Sequence, residues 1–164
     1  MPLAALRDDP LRPDVIALLA EHLADMRATS PPESVHALQP AALAKPGVAF
    51  WTVREHDVPI GCGALAPLGD DAGEIKSMRT AVTARRRGIA AVVLEAILDE
   101  ARERGYREVF IETGTQPYFA PARRLYERSG FAPCPPFGSY REDPHSAFYA
   151  RTLERGMAEV PERF

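Results

Sequence analysis

The chain has 164 residues, of which 46% are hydrophobic and 26% are charged, and its formal net charge is −3. This length and composition predict one globular domain over residues 1–164, and the weak negative charge argues against a protein that binds nucleic acid or anionic membranes. No apolar run approaches the roughly 18 residues that span a bilayer. The start, MPLAALRDDP, lacks the basic and apolar segments of a secretory signal, so we expect a cytoplasmic protein.

The first predicted elements are a helix, a loop and two strands. Apolar residues recur with helical spacing over residues 13–27. The segment ATSPPESVHALQP, with its prolines and small polar residues, is predicted as a loop. Strands follow at VAFWTVRE and IGCGALAPL. Gly61 and Gly63 in the second strand indicate a bulge or a close approach of another backbone.

The second strand also contains Cys62, one of two cysteines in the chain. Cys62 and Cys134 form no C-x-x-C pair, and no histidine lies at ligand spacing from either one. We therefore interpret Cys62 as a buried strand residue rather than a nucleophile. The four histidines are scattered along the chain, and no metal site is predicted.

The remaining elements alternate between strand and helix. EIKSMRTAV is predicted as a strand, and residues 88–104 as a helix that buries Val92 with other apolar residues and ends at Gly105. A strand at REVFIETG, a helix at FAPARRLYERSGF and a last strand at SAFYARTL follow. This order predicts an α/β fold whose central sheet has mixed strand directions.

Three arginines, Arg85, Arg86 and Arg87, crowd the start of the predicted helix, where the positive end of the helix dipole already lies. A strand, a turn and a helix that opens on glycine form an anion site in many proteins, because the first free N–H groups point at the ligand. Gly88 leaves room for a phosphate beside the backbone. A diphosphate fits better than a carboxylate, since consecutive amides can contact several oxygens. The alternative is that the arginines simply extend into water.

Two motifs carry a resemblance to a known family. The pattern Arg85-x-x-Gly88-x-Ala90 resembles the acetyl-CoA pyrophosphate loop of the GNAT acetyltransferases, whose consensus is Q/R-x-x-G-x-G/A, and ARRLYERSGF resembles their A-x-x-L-Y-x-x-x-G-F element. Both occur in the family's order, over a resemblance that spans residues 48–153. It implies the GNAT fold, a mixed sheet of about six or seven strands with a splayed central pair, flanked by about four helices.

The resemblance implies direct transfer of an acetyl group from acetyl-CoA to a primary amine of a small molecule, amino acid or peptide, with no metal. Backbone N–H groups of Met78, Arg79 and Thr80 would bind the pantetheine arm, and that of Met78 would be the oxyanion donor. The pyrophosphate would lie on the backbone of seven consecutive residues, namely Arg85, Arg86, Arg87, Gly88, Ile89, Ala90 and Ala91.

For the proton transfers, the resemblance suggests Glu74 as the general base and Tyr126 as the acid that protonates the departing thiolate. Glu74 begins the strand of Met78 and, by the period of two, shares a face with Lys76 and Met78. The rise of a strand separates Glu74 from Met78 by roughly 13 Å, so a bridging water would be needed. Glu112, in FIETG, is the competing carboxylate.

In the family, the acceptor enters between the N-terminal helices and a late hairpin, which here correspond to SPPESVHAL and FGSYREDPHS. These segments contain three acidic residues that could attract a cationic amine and three that could orient it. They are Glu33, Glu142 and Asp143, and His36, Tyr140 and His145. Solvated loop residues are the alternative interpretation, and the sequence leaves dimerisation through the last strand or an exposed apolar surface open.

Two other functions remain open at this stage. One is a catalytically weak member that binds acetyl-CoA as a sensor or partner module. The other is a nucleotide-binding protein that uses the same helix start, although the chain lacks the Lys-Ser/Thr of a P-loop at this site.

Overall fold

The computed structural model describes residues 3–35 and 39–153. One sheet of seven strands, in the order β1-β2-β3-β4-β5-β7-β6, forms the centre of this part of the chain. The strands are β1 Ala5–Arg7, β2 Ala49–Glu55, β3 Val58–Pro67, β4 Ala72–Thr80, β5 Glu108–Gly114, β6 Ala132–Pro133 and β7 Ser146–Thr152. The helices are α1 Pro13–Thr29, α2 Pro40–Leu43, α3 Ile89–Glu103 and α4 Ala120–Arg128. The fold class predicted from the sequence is confirmed, and no helix in the described ranges is long and apolar enough to cross a membrane.

The predicted splayed pair lies at the centre of the sheet. Strands β1 to β4 are antiparallel neighbours, β4 and β5 are parallel, and β5 and β7 are antiparallel. Pairing between β4 and β5 runs only from Ala72↔Glu108 to Ile75↔Ile111. Both strands continue beyond that point, β4 to Thr80 and β5 to Gly114, without pairing to each other. They therefore diverge and leave an opening in the middle of the sheet.

Helices cover both faces of the sheet. Trp51 and Val53 pack in one hydrophobic cluster with α3 and α4, whereas Phe50 packs in a second cluster with α1 and α2. Because alternate residues of a strand point to opposite faces, these two clusters lie on opposite sides of the sheet. In α3 the buried residues are Ile89, Val93, Leu94, Ile97, Leu98 and Ala101. Val92, predicted to be buried, is only partly so, because the helix turns Leu94 into the core instead.

A bulge interrupts β4 just where it leaves β5. Lys76 pairs with Ala64 and Arg79 with Cys62, so Ser77 and Met78 together oppose Gly63. Ser77 has a φ of +59°, as the extra residue of a bulge often does. The expectation that Glu74, Lys76 and Met78 share one face is therefore wrong. Lys76 lies on the α1 face, with its partner Ala64, while Met78 turns towards α3.

Gly61 and Gly63 mark the close approach that the sequence predicted. A Cβ on Gly61 would lie 2.4 Å from Ile89 Cγ2, and one on Gly63 would lie 2.7 Å from Val93 Cγ1. Helix α3 therefore packs directly on the backbone of β3. This contact sets the position of the first residue of α3, and with it the loop that precedes the helix.

Some details differ from the prediction. Strand β4 ends at Thr80, two residues earlier than expected, and a single 3-10 turn at Val82–Ala84 separates it from the arginines. Strand β1, which pairs with β2, and the two-residue β6 were not predicted. Both strands are too short for an alternating pattern to be detected in the sequence.

Gly61→Ala should destabilise the fold, because the new methyl group would overlap Ile89, a buried β-branched side chain on a helix that cannot turn away. We expect a loss of about 1–3 kcal/mol in the free energy of unfolding. Thermal denaturation would show this as a fall in Tm of roughly 2–4 °C per kcal/mol.

Val58→Thr, at an exposed position of the same strand, is the matched control and should change stability by less than about 0.5 kcal/mol. Equal Tm values for Gly61→Ala and the control would contradict the packing of α3 on β3.

Candidate active site

The anion loop, residues 85–91, joins the end of the 3-10 turn to the first turn of α3. Gly88 is the residue before the helix, with a φ of +77°, and no side chain caps the helix there. The N–H groups of Ile89, Ala90 and Ala91 belong to the first turn and so have no partner within the helix. A Cβ on Gly88 would meet nothing within 4 Å, so the start of the helix faces open space. This is the geometry that binds an anion at a helix N-terminus.

Two of the three arginines already have partners. Arg87 forms a two-pronged ion pair with Glu55, with one contact of 2.9 Å. Arg85 donates to the Tyr118 hydroxyl at 2.8 Å and lies over its ring. Arg86 has a φ of +67°, which bends the backbone of the loop. The side chains of Arg85 and Arg87 are thus engaged with protein partners, and binding of an anion by the backbone of Arg86 and Arg87 stays a prediction.

Arg79 has a second role that the sequence did not reveal. Its side chain, only 3% exposed, crosses from β4 to α1 and pairs with Glu21 and with Asp25 at 2.6 Å. The hydrogen bond from Arg79 holds the pKa of Asp25 below its ordinary value. Tyr118, in the loop after β5, donates to Asp25 at 2.9 Å and accepts from Arg79 at 3.1 Å. These side chains therefore connect the ends of the two diverging strands. Thr80, the last residue of β4, pairs with Gly61.

A small cavity of about 90 Å³, called the slit below, lies between the diverging strands. Residues 75–78 of β4 and 111–114 of β5 form its walls. Tyr126 borders it from α4, and His22 from α1 on the opposite face of the sheet. The slit thus passes between the two faces. It brings together Met78, Tyr126 and Glu112, but Glu74 is not part of its lining.

Glu112 has the protonation behaviour of a general base near neutral pH. Burial, the largest effect, and the negative charges of Glu74 and Asp143 raise its pKa to about 7. Lys76 and the Ser146 hydroxyl act in the opposite direction. Ser146 Oγ makes no well-formed hydrogen bond in the described structure, so we regard its effect as small beside desolvation.

Tyr126 is buried at the other end of the slit, between Phe131 and Tyr149, with ring centroids 5.8 and 6.5 Å away. Burial raises the pKa of its phenol above the ordinary value, and the nearby Glu112 carboxylate adds to the shift. The hydroxyl therefore keeps its proton at neutral pH, as a proton donor must.

Glu74 forms hydrogen bonds with two side chains beside the slit. Its carboxylate accepts a hydrogen bond from the Tyr140 hydroxyl at 2.6 Å and one from Lys76 Nζ at 3.2 Å. Lys76 also donates to the Tyr140 hydroxyl at 2.8 Å. Burial and, after it, the negative charge of Glu74 raise the pKa of the Tyr140 phenol. The three side chains form one compact cluster beside the slit.

A larger cavity of about 570 Å³, called the outer cavity below, adjoins this cluster. The late loop predicted to receive the acceptor lines it together with Glu33, Glu74 and Lys76. Glu142, Asp143 and Tyr140 belong to that lining, as expected. Lys76 and Tyr140 line both cavities, and we call this pair the neck.

Of the two histidines predicted to orient the acceptor, His145 does not line the outer cavity. His145 donates its backbone N–H to Asp143 at 2.8 Å, and its ring lies 3.3 Å from Gln116. Asp143 also accepts a hydrogen bond from the Ser34 hydroxyl at 2.5 Å. This bond joins the two segments that were predicted to receive the acceptor. His36 lies outside the described residues.

His22 and Cys62 are the remaining titratable groups near the site. His22, which the sequence gave no reason to select, stays neutral because burial, together with the charge of Arg79, lowers its pKa to about 4. Cys62 is fully buried in β3, and burial raises its thiol pKa to about 12. The interpretation of Cys62 as a buried strand residue is confirmed.

Comparison with known proteins gives consistent results. A family model described as the acetyltransferase (GNAT) family matches residues 15–131. The chain is 47% identical over 146 residues to the uncharacterized N-acetyltransferase YsnE of Bacillus subtilis, covering 89% of this chain and 97% of that protein. It is 39% identical over 151 residues to the IAA acetyltransferase of Azospirillum brasilense, covering 90% and 95%. The crystal structure of a putative acyl-CoA N-acyltransferase from Klebsiella pneumoniae superposes with a TM-score of 0.75 at 25% identity, covering 93% and 98%.

Gly88→Ala and Gly105→Ala form a matched pair that tests the anion loop. The two glycines have φ angles of +77° and +76° and open space around them, and they flank α3 at opposite ends. Alanine at either position should cost about 1–2 kcal/mol of stability, because an L residue is strained at positive φ. Only Gly88→Ala should also weaken CoA binding, by about tenfold, since its methyl group would occupy the space at the helix start.

Isothermal titration calorimetry with CoA measures the affinity, and thermal denaturation measures the stability of both variants. Equal loss of CoA affinity in the two variants would show that the helix start is not the binding site.

Proposed function

This chain belongs to the GNAT acetyltransferase family, and we propose that it transfers the acetyl group of acetyl-CoA directly to a primary amine of a small molecule, amino acid or peptide. One observation carries the proposal: the anion loop and the slit lie at the end of the same splayed strand, β4. With its diphosphate on the loop, acetyl-CoA can therefore extend its thioester arm along β4 to Glu112 and Tyr126.

Acetyl-CoA would be bound mainly by backbone groups. The N–H groups of residues 85–91 would contact the pyrophosphate, and those of Met78, Arg79 and Thr80 the pantetheine arm. Past Ile75, β4 has no pairing with β5, which leaves its edge available to a ligand. We assign the oxyanion interaction to the Met78 N–H, because Met78 borders the slit and lies in the bulge.

We propose Glu112 as the general base that takes the proton of the acceptor amine. Its side chain lines the slit, and its pKa of about 7 suits proton transfer at neutral pH. Glu74, which the sequence suggested, stays the alternative prediction. It accepts hydrogen bonds from Lys76 and Tyr140 and lines the outer cavity, so it would need a bridging water to reach the amine.

Tyr126 is proposed to protonate the departing thiolate. Tyr126 lines the slit from the α4 side, opposite His22. In the balanced step, the amine nitrogen forms a bond to the carbonyl carbon and the carbon–sulfur bond breaks. The nitrogen loses one proton to Glu112, and the sulfur gains one from Tyr126.

The name of one relative gives a specific acceptor to test. The protein at 39% identity bears the name IAA acetyltransferase, so IAA belongs among the acceptors to be tested with this chain.

Thermal shift and a thiol-release assay test the proposed function together. Acetyl-CoA and CoA at about 100 times their Kd should stabilise the protein by about 2.7 kcal/mol, which raises Tm by roughly 5 °C or more, whereas ATP and NAD should not. An accepted amine should then increase CoA release above the rate of hydrolysis. Stabilisation by acetyl-CoA with no release for any amine would favour the sensor alternative, and stabilisation by ATP alone would contradict both.

The two candidate bases can be separated by their pH profiles. Glu112 accepts a proton only when ionised, so kcat/KM should rise as the pH increases towards about 7 and then level off. Glu112→Gln should lower kcat/KM by about 100-fold or more and remove this rise. Glu74→Gln can still accept hydrogen bonds from Lys76 and Tyr140, and it should keep the rise.

The assay must use an amine whose own titration lies outside this range, so that the rise reports on the enzyme. The opposite result, in which Glu74→Gln loses the rise and Glu112→Gln keeps it, would assign the base to Glu74.

A further inference from the structure

The path of the acceptor narrows sharply on its way to the slit. The outer cavity has a volume of about 570 Å³ and the slit about 90 Å³, and only the neck, Lys76 and Tyr140, lines both. A cavity of roughly 150 Å³ is needed to hold one benzene molecule. If the proposed function is correct, the slit must hold the acetyl group and the attacking nitrogen at the same time. Little room is left there for any other part of the acceptor.

The neck is held in place by its neighbours. Tyr140 packs against Phe137 and Phe148, with ring centroids 5.0 and 5.6 Å away. Lys76 Nζ donates to Glu74 and to the Tyr140 hydroxyl, and its side chain is only 12% exposed. A wider opening between the outer cavity and the slit would require these ring contacts and hydrogen bonds to break together. A slender chain of atoms can therefore pass the neck more easily than a carbon that carries two substituents.

The charges around the neck disfavour a carboxylate beside the amine. Glu112 lies in the slit and Glu74 at the neck, and the charge of Lys76 is already offset by Glu74. Arg79, the nearest other cation on β4, is paired with Glu21 and Asp25. An α-amino acid would thus bring its carboxylate close to two acidic side chains. Across the outer cavity, four carboxylates face two cations, which suits a neutral or cationic body.

We infer that the acceptor is an ω-amine: a primary amine at the end of an unbranched carbon arm, with no carboxylate on the carbon that bears the nitrogen. The arm passes the neck into the slit, and the polar body of the molecule stays in the outer cavity. This inference rests on the proposed function and narrows it, since it excludes α-amino acids and peptide N-termini as good acceptors.

Two positional isomers test the shape of the acceptor. Nα-acetyl-L-lysine amide offers a free amine on an unbranched arm, and Nε-acetyl-L-lysine amide offers a free amine on a branched carbon. They have the same composition and both lack a carboxylate. We expect kcat/KM, measured by thiol release, to be at least about tenfold higher for the isomer with the free ω-amine. Equal values, or a preference for the branched isomer, would overturn the inference.

Glycinamide and glycine test the charge separately, because both have an unbranched carbon beside the amine. Glycinamide should react with a kcat/KM at least about tenfold higher than glycine at the same concentration of free amine. Equal kcat/KM values for glycinamide and glycine would contradict the inference that a carboxylate beside the amine is disfavoured. If no amine in the panel releases CoA above the rate of hydrolysis, the proposed function itself fails. If amines react but the isomers do not differ as stated, only the inference about the acceptor fails.

Tyr140→Ala tests the neck directly. Removal of the ring should admit the branched isomer, so that the preference for the ω-amine falls below about threefold. Tyr106→Phe, a tyrosine change away from both cavities, is the control and should keep the wild-type preference. An unchanged preference in a folded Tyr140→Ala variant would contradict the assignment of the neck. If that variant does not fold, the isomer pair with the wild-type protein still decides the inference.

Discussion

The end of pairing between β4 and β5 is the feature on which the candidate site depends. Parallel strands normally continue side by side and bury both faces. Here the ladder stops after Ile75↔Ile111, and the strands run on separately to Thr80 and Gly114. Beyond that point both strands line the slit instead of pairing with each other. Every group assigned to acetyl transfer, from the Met78 backbone to Glu112 and Tyr126, borders this opening.

Two features allow β4 and β5 to diverge while the hydrophobic core stays packed. The bulge at Ser77 and Met78 increases the local twist of β4 and directs its end away from β5. Arg79, which follows the bulge, then ties β4 to α1 through Glu21 and Asp25. On the other face, α3 packs on Gly61 and Gly63. The end of β4 is thus supported from both sides of the sheet, although its neighbour β5 no longer supports it.

The sequence predicted what depends on local pattern and missed what depends on distant contacts. Helix α3, the anion loop and the order of the main strands follow from apolar spacing and from Gly88, all within a few residues. The sequence indicated a bulge or a close approach at Gly61 and Gly63, and the register does shift at Gly63. The extra residue in β4 was missed because a period-two pattern assumes a regular strand, and this error placed Met78 on the face of Glu74. The role of Arg79 was missed because its partners lie 54 and 58 positions away along the chain. The choice between Glu74 and Glu112 likewise needed the fold, since burial and the position of Lys76 distinguish them.

The slit also gives the two groups proposed as base and acid pKa values that suit opposite roles at one pH. Burial raises the pKa of both Glu112 and Tyr126, but from very different starting values. Glu112 is brought to about 7, where its carboxylate exists in quantity and still attracts a proton. The pKa of Tyr126 is moved further above neutrality, so its hydroxyl keeps the proton that the proposed role requires it to donate. Pairs whose environments keep their pKa values apart are a recurrent basis for acid–base assignment in enzymes. The narrow geometry that raises both pKa values would also limit the size of what can reach the pair, so the proposed protonation chemistry and the proposed selection of a slender acceptor have one structural origin.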